Sequence, residues 1–237
     1  MKALILASGT AQRLRPLTEK IPKCLVKVNG ASILDRLLIQ FIRAGIRETV
    51  ITTGPFADKI KEAVKSYSAD INITLVKNEL YDKTNYIYSL YRAKTELTDD
   101  VLLVHGDLVF EDQVLTRLLS TKQRNAVIVR KDYRPAKDFK ARIRDNRISK
   151  ISTKIDGPDT HFLAPLYRFS KEDFRLWLLK IDEYVSRQEV HCYAEDALNE
   201  LLPSQVELNP VYITDEICLE IDDFADLEQC KKLLAAK

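Results

Sequence analysis

Two kinds of apolar segment alternate through the first half of this chain, and that alternation limits its fold more than any other feature. Short aliphatic runs at residues 2–7, 48–53, 72–76 and 101–105 carry apolar or β-branched side chains at successive positions. Three of them stop at turn residues: Ser8-Gly9-Thr10, Gly54-Pro55 and Gly106-Asp107. Runs of that length and character suit strands buried on both faces. Between them, residues 32–44, 56–67 and 85–97 read as helices. Ile33, Leu37, Leu38, Phe41 and Ile42 fall near helical spacing, with Gly45 as a C-cap. Strands that alternate with helices need crossover connections, and hence a largely parallel sheet.

The second half is less regular. Short strands are expected at 126–129, 141–144, 148–151 and 162–167, with turns such as Asp145-Asn146 between them. Helices are expected at 171–186, 194–202 and 224–236, while Pro135, Gly157-Pro158 and Pro203 punctuate loops. No repeat, low-complexity tract or composition break marks a linker. One continuous α/β domain over residues 1–237 is therefore expected, its second half adding a smaller α+β lid to the first.

Composition removes whole classes. With 46% apolar residues the chain is no disordered tail, and a net charge of +2 gives no reason to expect nucleic acid as a partner. Cys24, Cys192, Cys218 and Cys230 lack any paired spacing, which points to reduced thiols rather than a zinc site or a disulfide framework. The apolar run 3–7 is too short for a signal segment, and no run approaches about 18 apolar residues. The expectation is a cytoplasmic protein without a membrane partner.

In open α/β sheets ligands bind beyond the carboxyl ends of the strands. After the first strand the chain reads Ser8-Gly9-Thr10-Ala11-Gln12-Arg13-Leu14-Arg15-Pro16-Leu17-Thr18, then Pro22-Lys23. It contains neither the dinucleotide fingerprint GxGxxG nor a Gly-Lys-Ser/Thr phosphate loop. Its small residues let backbone N–H groups face an anion, and Arg13, Arg15 and Lys23 add cations suited to a triphosphate. As a loop alone it would serve equally as an ordinary solvated surface. Asp107 and Asp222 are oxygen donors of the kind that holds magnesium together with substrate phosphates. By themselves they read as readily as turn or cap residues, and Asp223 as the cap before Phe224. Asn85 reads as a helix cap, and Tyr86, Tyr88 and Tyr91 as packing residues. Lys137 and Lys140 offer cations, and His191-Cys192-Tyr193-Ala194-Glu195-Asp196 offers an aromatic face with two carboxylates, suited to an ammonium group. His105, His161 and His191 show no metal-ligand spacing and read as structural.

The stretch Leu6-Ala7-Ser8-Gly9-(x)3-Arg13-Leu14-x-Pro16-Leu17-Thr18-(x)3-Pro22-Lys23 resembles the signature of the nucleotidyltransferases that activate sugar 1-phosphates, phosphocholine and phosphonates. It departs at Ala11, where most members carry a second glycine. The Leu-Gly-Thr-Ala-Gly segment typical of the sugar 1-phosphate enzymes is missing. Asn85 with Ser89-Leu90 is instead similar to the phosphocholine and 2-aminoethylphosphonate cytidylyltransferases. Thr53-Gly54-Pro55-Phe56, His105-Gly106-Asp107-Leu108-Val109-Phe110 and Cys192-Tyr193-Ala194-Glu195 point to the phosphonate branch.

The resemblance implies a three-layer α/β sandwich with a mostly parallel central sheet, a Rossmann-like nucleotidyltransferase fold. Residues of about 1–130 would form the nucleotide-binding core, and about 131–237 the acceptor-binding portion and the closing metal-site segment. It implies nucleotide contacts from Ala7, Ser8, Gly9, Thr10, Ala11, Arg13, Lys23, Asn78, Asn85, Ser89, Gly106 and Asp107, with Asn78 and Ser89 near a pyrimidine base. Lys23 and Arg13 would be catalytic, Asp107 and Asp222 would hold Mg²⁺, and Glu220 would be their neighbour. Lys140, Tyr193, Glu195 and Asp196 are candidates for the acceptor. The implied reaction joins CTP to 2-aminoethylphosphonate and releases pyrophosphate. Phosphocholine is the alternative acceptor, followed by a sugar 1-phosphate, and a catalytically dead nucleotide-binding module is the alternative of another class. CTP and a small phosphonate or phosphorylated amine are the partners implied, and a homodimer is compatible with the sequence.

Overall fold

The computed structural model describes residues 1–131 and 137–237, so Pro135, one of the expected loop prolines, lies outside the described residues. Strand β1 (Lys2–Ala7) is buried from both sides because its alternating positions are all apolar. Ala3 and Ile5 enter one core, Leu4 and Leu6 the other. A tight hairpin follows, β2 (Lys27–Val28) and β3 (Ala31–Ser32), turning at Asn29-Gly30 with positive φ at both residues. Asn-Gly is the pair that such a turn favours. Helix α1 (Ile33–Arg43) starts from a reciprocal cap: the Asp35 N–H donates to the Ser32 hydroxyl, and the Ser32 N–H donates to the Asp35 carboxylate, both at 3.0 Å.

Strand β4 (Glu48–Thr53), helix α2 (Ala57–Val64), strand β5 (Asn72–Lys77), helix α3 (Tyr86–Ala93) and strand β6 (Val101–His105) complete the expected alternation. All three strands run parallel with β1, in the spatial order β6-β1-β4-β5. The chain leaves β1 toward β4 and returns on its other side at β6. A crevice therefore opens above the carboxyl ends of β1 and β6.

Beyond it come β7 (Leu108–Phe110), α4 (Asp112–Ser120), β8 (Ala126–Arg130), β9 (Lys140–Arg144), β10 (Arg147–Ser152) and β11 (Thr160–Phe169). Helices α5 (Lys171–Ser186) and α6 (Ala194–Asn199), strands β12 (Asn209–Ile213) and β13 (Cys218–Glu220), and helix α7 (Phe224–Ala235) end the chain. Strand β11 is antiparallel to β6, β8 and β9, and its register shifts between Leu163 and Tyr167, the span that holds Pro165. Proline is tolerated in a strand at such an irregularity. Among the described residues nine strands make one mixed sheet, so the second half is built onto the first sheet rather than beside it. Helices α1, α2, α4 and α7 cover one face, and α3, α5 and α6 the other, giving three layers.

Six elements among the described residues were not expected from sequence: β2, β3, β7, α4, β12 and β13. Helix α6 stops at Asn199 rather than at 202 because Pro203 disfavours a helical conformation at Leu202. No helix among the described residues is long and apolar enough to cross a membrane.

Candidate active site

The crevice is shaped first by glycines. A Cβ on Gly54 would sit 2.2 Å from the Ser8 carbonyl oxygen, and one on Gly106 would sit 2.9 Å from that of Leu6. These two glycines let the turns after β4 and β6 close on the turn after β1. Gly9 differs, since nothing lies within 4 Å of where its Cβ would be. Ala11 adopts left-handed φ/ψ of 48° and 51°, which explains why resembling sequences carry glycine there. The conformation costs an alanine roughly 1–2 kcal/mol. The Thr18 hydroxyl donates to the Ala11 carbonyl at 2.7 Å, and buried Leu14 anchors the 3-10 turn that presents Arg13.

The charged groups arrive from three places. Asp107 follows β6, Lys23 opens the short helical turn Lys23–Leu25, and Asp222 follows β13. The ribbon formed by β7 and β13 aligns the two acids: Glu220 lies opposite Leu108, and the Ile221 N–H donates to the Asp107 carbonyl at 3.0 Å. The Lys23 ammonium lies 2.6 Å from Asp107 and 2.8 Å from Asp222, and Arg13 lies 2.9 Å from Asp222. Burial alone would lower the Lys23 pKa, but the two carboxylates outweigh it and hold it above the ordinary lysine range. Burial would raise the Asp222 pKa, whereas Lys23, Arg13 and Lys137 keep it below its usual value.

Asp107 Oδ1 is buried with no hydrogen-bond partner among the described residues. An orphaned carboxylate oxygen beside a second aspartate fits the all-oxygen donor set that magnesium takes. His105, Asp107 and Glu220 also bring one ligand atom each within 4.8 Å of one another. Burial pushes the Glu220 carboxyl up to about 7, only partly offset by His105. Burial raises the Asp138 carboxyl to about 6 against the pull of Lys137, with Asp222, Asp226 and Asp107 adding to the rise.

Two clefts meet at Gly9 and Asp107. The first, of about 430 Å³, is walled by Ala7, Ala11, Gln12, Arg13, Lys23 and Gly106. The second, of about 420 Å³, is walled by Ser8, residues 81–86, His105 and His191. Arg13 and Lys23 thus line the first cleft, and the rings of Tyr81 and Tyr86 the second, beside Asp82 and Lys83.

The remaining site candidates fall into two groups. Asn85 lines the second cleft and caps α3, its side chain accepting from the Tyr86 N–H at 2.7 Å. Tyr86 lines it too, packed edge-on to His105 with ring centres 4.8 Å apart. Tyr193 is 40% exposed and lies edge-on to Phe139 at 5.0 Å. Asn78 and Ser89 are fully buried behind the second cleft. Glu195, 1% exposed, accepts from the Tyr86 and Tyr167 hydroxyls, and so has neither oxygen free. Asp196 accepts from the Tyr193 N–H at 3.0 Å at the start of α6. Lys140 is buried and pairs with Asp156 at 3.0 Å, while Lys137 pairs with Asp223 and Asp226. Asp223 caps α7, as its position before Phe224 suggested.

A family model described as the MobA-like NTP transferase domain matches residues 3–234. A relative from Campylobacter jejuni, named CTP:phosphoglutamine cytidylyltransferase, is 32% identical over 139 residues, covering 56% of this chain and 54% of that protein. A second, from Lancefieldella rimae, is named 2-aminoethylphosphonate cytidylyltransferase. It is 25% identical over 228 residues, covering 95% of this chain and 89% of that protein. Against several other curated relatives the chain spans about half their length or less, 51% and 38% in two cases. The solved CTP:phosphocholine cytidylyltransferase of Streptococcus pneumoniae superposes with a TM-score of 0.78 at 22% identity, covering 98% of each chain. That likeness is one of fold. The match across nearly the whole chain places this protein in the MobA-like NTP transferase family.

Proposed function

We propose that this member of the MobA-like NTP transferase family is a magnesium-dependent cytidylyltransferase that joins CTP and 2-aminoethylphosphonate, giving CMP-2-aminoethylphosphonate and pyrophosphate. The observation that carries the reading is the convergence of Lys23, Asp107 and Asp222 within 2.8 Å contacts at the mouth of the sheet. A relative bearing that activity in its name aligns with 95% of the chain, which supports the choice of acceptor.

In the proposed reaction a phosphonate oxygen forms a bond to the α-phosphorus of CTP, and the bond from that phosphorus to the bridging oxygen of pyrophosphate breaks. The attacking oxygen is already anionic, so no general base is required. The difficulty is electrostatic, and catalysis of this kind rests on positioning and charge neutralisation. The cationic cleft takes the triphosphate, with Gly9 leaving space for its close approach. Arg13 holds the departing pyrophosphate, and Lys23 bridges the donor and acceptor phosphates. Asp107 and Asp222 would hold the magnesium, which supplies further charge withdrawal at the α-phosphate. Tyr86 and Tyr193 border the acceptor, and Glu195 contributes by holding the Tyr86 hydroxyl rather than by direct contact.

Phosphocholine is the second reading. The rings of Tyr86, Tyr193 and Phe139 form a contiguous aromatic surface, with centres 5.9 and 5.0 Å apart. Such a surface suits a quaternary ammonium. The separating experiment measures pyrophosphate release from CTP or UTP with 2-aminoethylphosphonate, phosphocholine, phosphoethanolamine and glucose 1-phosphate. The highest kcat/KM is expected for CTP with 2-aminoethylphosphonate. Equal or faster turnover of phosphocholine would overturn the acceptor, and no turnover of any pair would overturn the enzyme. Asp107→Asn should lower the rate by about 10²–10³. A wild-type rate in that variant would remove the metal role from Asp107.

A further inference from the structure

The main chain that carries Asp222 is held by one side chain, Asp226. Asp226 Oδ2 accepts from the Asp222 N–H at 2.9 Å and from the Asp223 N–H at 3.1 Å. These two N–H groups belong to the peptide planes on either side of the Asp222 Cα, so one carboxylate oxygen fixes both of its backbone torsions. The capping box at the start of α7 needs only the second of these bonds, with the Asp226 N–H donating back to Asp223 Oδ1 at 3.1 Å. The bond to Asp222 is additional. The same oxygen also receives the Lys137 ammonium at 2.5 Å, which draws the residues before Phe139 onto the start of α7. Just upstream, the Asp107 carbonyl holds the Ile221 N–H at 3.0 Å.

We propose that Asp226 is the positioning residue for magnesium at Asp222, setting the direction in which that carboxylate leaves the chain. The inference rests on the magnesium-dependent reading of the site and adds the residue that preorganises its C-terminal acid. The side-chain contacts of Asp222 cannot do this. Its two oxygens meet Lys23 at 2.8 Å and Arg13 at 2.9 Å. A dication on the same carboxylate repels both cations, so these contacts weaken once metal is held. The main-chain bonds to Asp226 involve neither oxygen of Asp222 and carry no such conflict. An acid whose orientation is set in advance loses less conformational freedom on binding, and partners behind a metal ligand govern affinity in this way.

Calorimetric titration of CTP into wild type, once in magnesium chloride and once in EDTA, gives the gain in affinity that the ion brings. Asp226→Ala should lose about 10-fold of that gain, the usual effect of removing a partner behind a metal ligand, while its affinity in EDTA does not fall. Asp223→Ala breaks the same helix cap but leaves the Asp222 N–H bonded, and should keep the full gain. Asp226→Asn has an amide oxygen that can accept from both N–H groups, and should keep more of the gain than Asp226→Ala. Should Asp226→Ala not fold, Asp226→Ser replaces it, since a serine hydroxyl falls short of the Asp222 N–H. A wild-type gain in the alanine or serine variant overturns the proposal. An equal loss in Asp223→Ala does so too, by assigning the effect to the cap. So does an Asp226→Asn that loses as much as Asp226→Ala, because charge alone would then account for the loss. Wild type with no gain from magnesium overturns the magnesium reading itself, and this inference with it.

Discussion

Gly9 and Gly54 both border the crevice, but a side chain would meet different things at each. At Gly54 it would run into the Ser8 backbone, and at Gly9 it would meet open space. Gly54→Ala is therefore expected to lower stability by about 1–3 kcal/mol, as overpacking does. Gly9→Ala should leave the melting temperature unchanged or slightly raised, yet slow pyrophosphate release by obstructing the triphosphate. Thermal melts and rate assays on the two variants check both halves, and an unstable Gly9→Ala would remove the ligand-based reason for that glycine. Residues inside the continuous N-terminal motif were legible from sequence because one short segment carries them. The duty of Glu195 was not. Its acidity and neighbours suggested an exposed carboxylate, and only the fold shows two tyrosine hydroxyls consuming it.

At the scale of elements, α1 offers a pH-sensitive cap. Burial would raise the Asp35 pKa, but hydrogen bonds from Ser32 and the Tyr67 hydroxyl hold it below the ordinary aspartate value. A carboxylate depressed in the folded state adds stability above its unfolded pKa, and that stability is lost as pH falls through the folded one. Asp35→Ala should thus cost about 1 kcal/mol at pH 7. The difference from wild type should shrink as the solution is acidified below about pH 4. Urea unfolding at several pH values measures it, and a constant difference down to pH 3 would contradict the assignment. Long periodic elements such as β1, α1, β4 and α5 could be read directly, since their apolar spacing is sustained. Strands β7 and β13 could not, being three residues each, although they bring Asp107 and Asp222 together. Helix α4 buries only Val114, Leu115 and Leu118, too thin a stripe to stand out.

For the molecule as a whole, the site closes across the sequence: Lys23 and Asp222 are 199 positions apart. A nucleotide held by both would tie the first strand to the last helix. MgCTP at one hundred times its Kd should add about 2.7 kcal/mol. For a chain of this size that raises Tm by roughly 5–10 °C. Asp222→Asn should lose most of the shift, and a full shift in that variant would mean that the C-terminal acid takes no part in binding. The wedged ammonium of Lys23 has one more consequence for the proposed reaction. A bare dication entering first must evict that ammonium and crowd two like charges into one small space, so the free protein should be a poor chelator. Carried in on a triphosphate, the same ion brings the anion toward which the displaced lysine can swing. Asp107 and Asp222 would then take up the dication together with the nucleotide rather than from free solution.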